Sequence, residues 1–367
     1  MPKDLFESYK IDHIEIYSPM AKPLVFWHTT GLGFTPVAYK GWETGFPGVA
    51  SYMLVSRNIR LVITSSYPSL KHGPDEEVYD FIHRSGSGVA KIALNTSSVQ
   101  GSFEMALSHG AVPLVFPHVI SDKDGHVEKA AVRLYDNSQL VFVNRRNYRG
   151  VFLPGYEKIA SGTTVNPILF DTVDHIASEL RINEIDFWTR LLEKIAGVSV
   201  VQQIRRIAEN KTGMILNIAQ TASRTITMVM AEPADAGGPS KVQENIDNYG
   251  PGIHHLAFST NDIQSTVSRL RERGIEMVSF PASYYRMLRQ NPDLKEIDID
   301  RLEDLGILVD REGDGYLFQK FIRPFGDKPF FMYEIVERVN GYSGFALNNI
   351  NVLKKAEEAE LMQVEQK

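Results

Sequence analysis

With 367 residues, the chain is too long for one ordinary domain and predicts two. Its composition, 43% hydrophobic and 23% charged with a net charge of -6, is that of a globular protein and gives no reason to expect nucleic acid or an anionic membrane as partner. The absence of cysteine excludes disulfides, thiolate ligands and a cysteine nucleophile, so any metal must be held by histidine and carboxylate.

No run approaches the ~18 apolar residues of a membrane span. The stretch Met1-Pro2-Lys3-Asp4-Leu5-Phe6-Glu7 carries acidic residues where a signal peptide needs an apolar core, so the expected location is cytoplasmic.

In chain order, four short apolar segments share one form, at residues 11–16, 89–94, 173–177 and 253–258. Each reads as a strand and is followed by a helix-like stretch, at residues 23–30, 99–109, 184–195 and 262–273. Each helix pattern ends at or near a glycine, the usual C-terminal signal, and Asp262 stands at an N-cap position. Alternating β-rich segments follow, among them residues 52–55, 59–64, 140–143 and 225–230. The unit recurs roughly every 80 residues, a duplicated supersecondary unit rather than a solenoid. Four units predict an α+β protein of two domains, 1–155 and 156–367. The segment Phe152-Leu153-Pro154-Gly155-Tyr156, with Ser161-Gly162-Thr163 beyond it, reads as the linker. Residues 355–361 read as a charged C-terminal helix, either a surface helix or a lid over a pocket.

His175 and His255 fall at matching positions of the third and fourth units, in strands that should converge on the axis between them. Glu334 lies in the apolar run Phe330-Phe331-Met332-Tyr333-Glu334-Ile335-Val336. A carboxylate buried there needs a partner, and a cation would serve. Two histidines and one carboxylate without sulfur match the facial triad of non-haem Fe(II) oxygenases, although Mn or Zn would suit the same ligands. His254 is expected to face the other way, since neighbouring strand residues alternate. In the first half the corresponding positions are His13, Lys91 and a strand around Val143-Asn144 without a carboxylate. That half is expected to be metal-free, with His13 structural.

The chain resembles the family of 4-hydroxyphenylpyruvate dioxygenase and 4-hydroxymandelate synthase, members of the vicinal-oxygen-chelate superfamily built from βαβββ units. Residues 152–157, 173–176, 252–257, 305–311, 315–321, 326–329 and 334–338 carry the resemblance. It implies a vicinal-oxygen-chelate fold of two open barrels with a C-terminal helix, and Fe(II) at His175, His255 and Glu334. It implies a 2-oxo acid substrate that is decarboxylated and hydroxylated with O2. The default reaction turns 4-hydroxyphenylpyruvate into homogentisate. A 4-hydroxymandelate-forming reaction and another aryl or aliphatic 2-oxo acid are the alternatives, and a non-catalytic ligand-binding protein is the reading of a different class. A homodimer or homotetramer is implied as well.

Gln319 and Asn349 match family positions expected to act in catalysis and to line the substrate pocket, and Phe321 matches the ring that stacks on aromatic ligands. Other pocket positions depart from the family: Leu216, Ala231, Lys241, His254, Met332 and Ile350 stand where it carries other residues, as does Lys354 in the lid. These changes remove much of a polar network around an aromatic substrate and predict altered specificity, because a site that hydrogen-bonds a hydroxyl discriminates by as much as ~10⁴. Lys241 reads either as an added contact to an anionic group or as a surface lysine.

Overall fold

The computed structural model describes residues 3–68, 73, 75–159, 167–207, 213–234, 240–346 and 349. The expected linker residues 161–163, Ile350, Lys354 and the expected helix at 355–361 lie outside them.

Two mixed sheets form the frame. The first contains β1 (Lys10–Tyr17), β2 (Thr35–Lys40), β3 (Val49–Ser56), β4 (Ile59–Ser66), β5 (Gly88–Asn95), β6 (Pro113–Asp122), β7 (Gly125–Leu134), β8 (Ser138–Asn144) and β9 (Glu157–Lys158), in the order β6-β7-β8-β5-β1-β4-β3-β2-β9. The second contains β10 (Val173–Glu179), β11 (Val198–Ile207), β12 (Gly213–Thr221), β13 (Thr227–Pro233), β14 (Gly252–Ser259), β15 (Leu308–Glu312), β16 (Gly315–Ile322) and β17 (Met332–Val339), in the order β11-β12-β13-β10-β14-β17-β16-β15.

The predicted repeat is present. Each unit is a strand, a helix and three strands, with helices at Ala21–Thr30, Val99–Ser108, Ile185–Ile195 and Ile263–Glu272. Within each sheet the first strands of two units pair antiparallel, β1 with β5 and β10 with β14. Each of these also pairs in parallel with the last strand of its own unit. The two halves are thus related residue by residue.

Local chemistry explains the helices. Ile185, Leu191, Leu192 and Ile195 put one apolar stripe of Ile185–Ile195 into the core. The carboxylate of Asp262 accepts from the Ser265 N–H at 2.9 Å and starts Ile263–Glu272. The fourth unit also carries helices Ala282–Arg289 and Ile299–Leu305 before β15, which the repeat did not anticipate. One apolar core runs through both sheets, including Ile14, Ile92, Ile176, Leu256, Phe258 and Tyr333. Buried His28 ties the halves together: its Nδ1 donates to the Leu24 carbonyl at 2.8 Å, and its Nε2 accepts from the Tyr333 hydroxyl at 2.6 Å.

Glu179, at the end of β10, is 8% exposed. Its Oε1 accepts from Asn245 at 3.2 Å, while Oε2 has no hydrogen-bond partner among the described residues. Burial raises its pKa to about 7, against the smaller opposing effects of Asn245 and Lys241. The folded state therefore holds this proton more tightly than the unfolded chain, and Glu179 subtracts stability increasingly as pH rises from its ordinary value to about 7. Glu179→Gln is expected to raise the melting temperature at pH 8, by on the order of 3 kcal/mol of stability, and to change it little at pH 5. Calorimetry at the two pH values checks this; an equal effect at both would refute it.

Candidate metal centre

Three adjacent strands build the centre. His175 on β10 pairs with Ala257 on β14, and Ala257 pairs with Glu334 on β17, so the three form one row across the sheet. Ala257 in the middle is fully buried and presents only a methyl group, which leaves room for its two neighbours to reach each other above it. His255 stands two residues earlier on the same strand and the same face. The Nε2 atoms of His175 and His255 lie 3.1 and 3.2 Å from the same oxygen, Glu334 Oε2. All three candidate ligand atoms lie within 4.8 Å of one another.

Those spacings suit a metal. Bonds near ~2.1 Å place neighbouring ligand atoms of a first-row ion about 3 Å apart. Two imidazole nitrogens and one carboxylate oxygen, with no sulfur, is the donor set of a non-haem iron triad.

Each ligand is held by a partner that sets its free atom. A β-bulge at Asp174 interrupts the β10–β14 register and re-aims its side chain. Asp174 Oδ1 accepts from His175 Nδ1 at 2.8 Å, which leaves His175 Nε2 to face Glu334. Arg338 in turn grips Asp174 through Nε and Nη2 at 2.8 and 2.9 Å, the two-point geometry that guanidinium and carboxylate favour. Arg338 also donates to the Gly344 carbonyl at 2.9 Å, and Phe345 sets its ring edge to face with His175, centroids 5.8 Å apart.

On the other side, Gln319 Nε2 donates to Glu334 Oε1 at 2.7 Å. Asn349 Nδ2 donates to Gln319 Oε1 at 3.0 Å, and the Tyr284 hydroxyl donates to Asn349 Oδ1 at 2.9 Å. The Val309 N–H donates to the Tyr284 oxygen at 3.0 Å and closes the chain. One oxygen of Glu334 is thereby fixed to the protein, and the other is left for the two histidines.

Electrostatics follow from burial and mutual charge. Burial opposes ionisation of Glu334, yet His175 and His255 outweigh it and lower its pKa to about 2. Burial would depress His175, but Glu334 and Asp174 raise it to about 9. His255 is lowered, first by burial, against the pull of Glu334.

His254 does not follow the expected alternation. The register passes from Ala177–His255 to Ser178–Ile253, so His254 is the extra residue of a bulge. Its Nδ1 is 2.9 Å from His255 Nδ1, a hydrogen bond between the two rings. Burial, then the neighbouring His255, lowers its pKa to about 3 and leaves it neutral. The first-half counterpart of Glu334 falls on the expected strand without a carboxylate, β8. Ala93 pairs with Val141, as Ala257 pairs with Glu334, so Val141 occupies that position.

The other anticipated pocket residues divide. Phe321 pairs with Glu334 across β16–β17 and meets the His255 ring edge to face at 5.7 Å. Met332 pairs with His255. Leu216 and Ala231 belong to an apolar cluster with Ile204, Val242 and Ile246, against which Phe345 is placed. Phe345 thus links that cluster to His175. Lys241 is not brought to the triad: its side chain is 74% exposed and pairs with Glu244 at 3.1 Å. Sequence reasoning missed Asp174, Arg338 and Tyr284. The dipeptide Asp-His, present in both halves as Asp12-His13 and Asp174-His175, was the available signal for the first.

Comparisons with known proteins agree with this geometry. A family profile described as Glyoxalase/Bleomycin resistance protein/Dioxygenase superfamily matches residues 175–287. The chain is 30% identical to the 4-hydroxyphenylpyruvate dioxygenase of Coccidioides posadasii (strain C735), over 98% of this chain and 94% of that protein. It is 32% identical to the 4-hydroxyphenylpyruvate dioxygenase of Tetrahymena thermophila, over 93% of this chain and 87% of that protein. Among solved structures, a mutant of 4-hydroxymandelate synthase from Streptomyces coelicolor superposes with a TM-score of 0.83 at 26% identity, covering 96% of this chain and 99% of the other. A shared fold, a buried His-His-Glu cluster and near full-length similarity together place the chain in the 4-hydroxyphenylpyruvate dioxygenase family of enzymes.

Proposed function

We propose that the protein is an Fe(II)-dependent 2-oxo acid dioxygenase, with His175, His255 and Glu334 as the iron ligands. The observation that carries this reading is the convergence of two histidine Nε2 atoms on one buried carboxylate oxygen. Bound there, Fe(II) would supply Lewis acidity toward the 2-oxo acid and the redox chemistry with O2. The default reaction consumes 4-hydroxyphenylpyruvate and O2 and yields homogentisate and CO2.

The protein's own work is positioning and exclusion of water. Asp174 holds His175 in the tautomer whose Nε2 lone pair is free. Gln319, braced by Asn349 and Tyr284, keeps Glu334 from rotating. Phe321 and Phe345 flank the histidines with apolar rings. The apolar cluster at Leu216 and Ala231 offers no donor or acceptor side chain to a substrate hydroxyl. It favours a side chain with an apolar end, so phenylpyruvate or an aliphatic 2-oxo acid competes with 4-hydroxyphenylpyruvate as substrate.

The deciding experiment reconstitutes the protein anaerobically with Fe(II), then follows O2 uptake and CO2 release over a panel of 2-oxo acids, with products identified by mass spectrometry. Turnover of at least one member is expected. His255→Ala and Glu334→Ala should abolish it with the far-UV circular dichroism intact. No decarboxylation of any member, or full activity in either variant, would overturn the reading.

Asp174 gives an independent check. Asp174→Asn keeps the shape but loses the charge that polarises His175 and pairs with Arg338. Iron affinity is expected to fall by roughly 10–100-fold, measured by titrating metal-free protein under anaerobic conditions. Unchanged affinity would show that Asp174 does not support the ligand.

A further inference from the structure

The first half repeats the frame of the metal centre with different side chains. His13 on β1 pairs with Ala93 on β5, and Ala93 pairs with Val141 on β8. Lys91 takes the place of His255, since Glu15 pairs with Lys91 as Ala177 pairs with His255. Lys129 takes the place of Gln319, because Lys129 pairs with Val143 as Gln319 pairs with Val336. The support is kept as well: Asp12 Oδ1 is 2.7 Å from His13 Nδ1, and Arg145 Nη2 is 3.0 Å from Asp12 Oδ2.

At this centre lies a cavity of about 150 Å³, lined by Lys40, Lys91, Lys129, Glu15, Tyr156 and Ser51 among others. That volume equals about five water molecules at ~30 Å³ each. Lys91 is matched: its ammonium is 2.7 Å from Glu77 Oε1 and 3.8 Å from Glu15 Oε2. The two carboxylates are further taken up by the hydroxyls of Tyr17 on Glu77 at 2.5 Å and Thr64 on Glu15 at 2.7 Å. Asp75 accepts from the Val78 N–H at 3.2 Å and starts its helix.

Lys129 and Lys40 are not matched in this way. Neither ammonium has a hydrogen bond or an ion pair among the described residues, although Lys40 lies 4.2 Å from the Phe46 ring centroid. Glu15 attracts both, Asp75 attracts Lys40 and Glu77 attracts Lys129, each from a distance without bonding to the lysine. Burial first, then the like charge of Lys91, lowers Lys129 to about 8. Both side chains line the cavity with carboxylates nearby but none in contact, which leaves their ammonium donors open to an anion. The hydroxyls of Tyr156, Ser51 and Thr64 run along the wall as a chain with 2.6 Å links.

We propose that this cavity is a second ligand site, which binds a small monocarboxylate between the ammonium groups of Lys129 and Lys40. That volume suits a ligand of a few heavy atoms, such as acetate or pyruvate. Glu15, Asp75 and Glu77 on the wall disfavour a dianion more strongly than a monoanion, which sets hydrogen phosphate at a disadvantage. The site is independent of the iron centre and of the substrate reading above.

The test uses the full chain with lysine side chains isotope-labelled for NMR. Acetate and pyruvate should shift the ammonium signals of Lys129 and Lys40 saturably, and inorganic phosphate should not. Calorimetric affinity for acetate should fall at least about 10-fold in Lys129→Met and in Lys40→Met, the loss expected for one charge-assisted hydrogen bond. It should persist in His255→Ala. Absence of saturable binding, affinity unchanged in Lys129→Met, or binding lost in His255→Ala would each overturn the proposal. The wild-type NMR titration decides the matter even if a lysine variant fails to fold.

Discussion

The buried carboxylate of Glu334 is the constraint on which the second half depends. Leaving it unpaired among buried Tyr333, Ile335 and Val336 would cost several kcal/mol, and the fold answers with groups from neighbouring strands, from Asn349 and from one inserted helix. His175 and His255 approach one oxygen, and Gln319 takes the other. Gln319 is held by Asn349 and Asn349 by Tyr284, so a hydrogen-bond chain carries the constraint into helix Ala282–Arg289. A half-satisfied network of this kind would be worse than an apolar core. This accounts for why the amides and hydroxyl between Glu334 and β15 are all engaged.

The two halves show one frame used for two electrostatic solutions. In both, a β-bulge presents an aspartate to the neighbouring histidine, and an arginine four residues past the Glu334 or Val141 position grips that aspartate. What differs is the source of positive charge. The second half sets the carboxylate against two imidazoles. The first half carries its cation covalently, as Lys91, and moves the carboxylates to Glu15 and Glu77. With Val141 where Glu334 would stand, the first half lacks the carboxylate of the triad, and an ammonium replaces one imidazole.

Much of this was legible in the sequence because it is periodic. Matching histidines one repeat apart, and a glutamate in an apolar strand, locate the triad without coordinates. What was not legible arises where the strand departs from its period. An alternation of faces placed His254 away from His255, but the bulge inserts one residue and turns its ring toward His255. The strand around Val143-Asn144 was legible, but strand starts do not fix register, and the pairing of Ala93 with Val141 does. Arg338 was hidden because a charged residue near a strand end reads as solvated, and Tyr284 because its helix lies outside the repeated unit. At Lys241 the sequence left open an added contact to an anionic group or a surface lysine, and the exposed side chain fits the second.

Ala257 shows how little side chain the centre needs at its middle. It is paired on one side with His175 and on the other with Glu334, two strands apart. Strands lie ~4.8 Å apart, so the two backbones are separated by about 10 Å. Only long side chains leaning inward over a small residue can bring Nε2 and Oε2 to 3.1 Å. A leucine or valine at this position would fill the gap and push the ligands apart, because a close-packed interior has no slack to absorb the extra carbons. The same reasoning applies to Ala93 between His13 and Val141. The small residue is therefore a property of the frame, and the chemistry of each half is decided by which side chains lean over it.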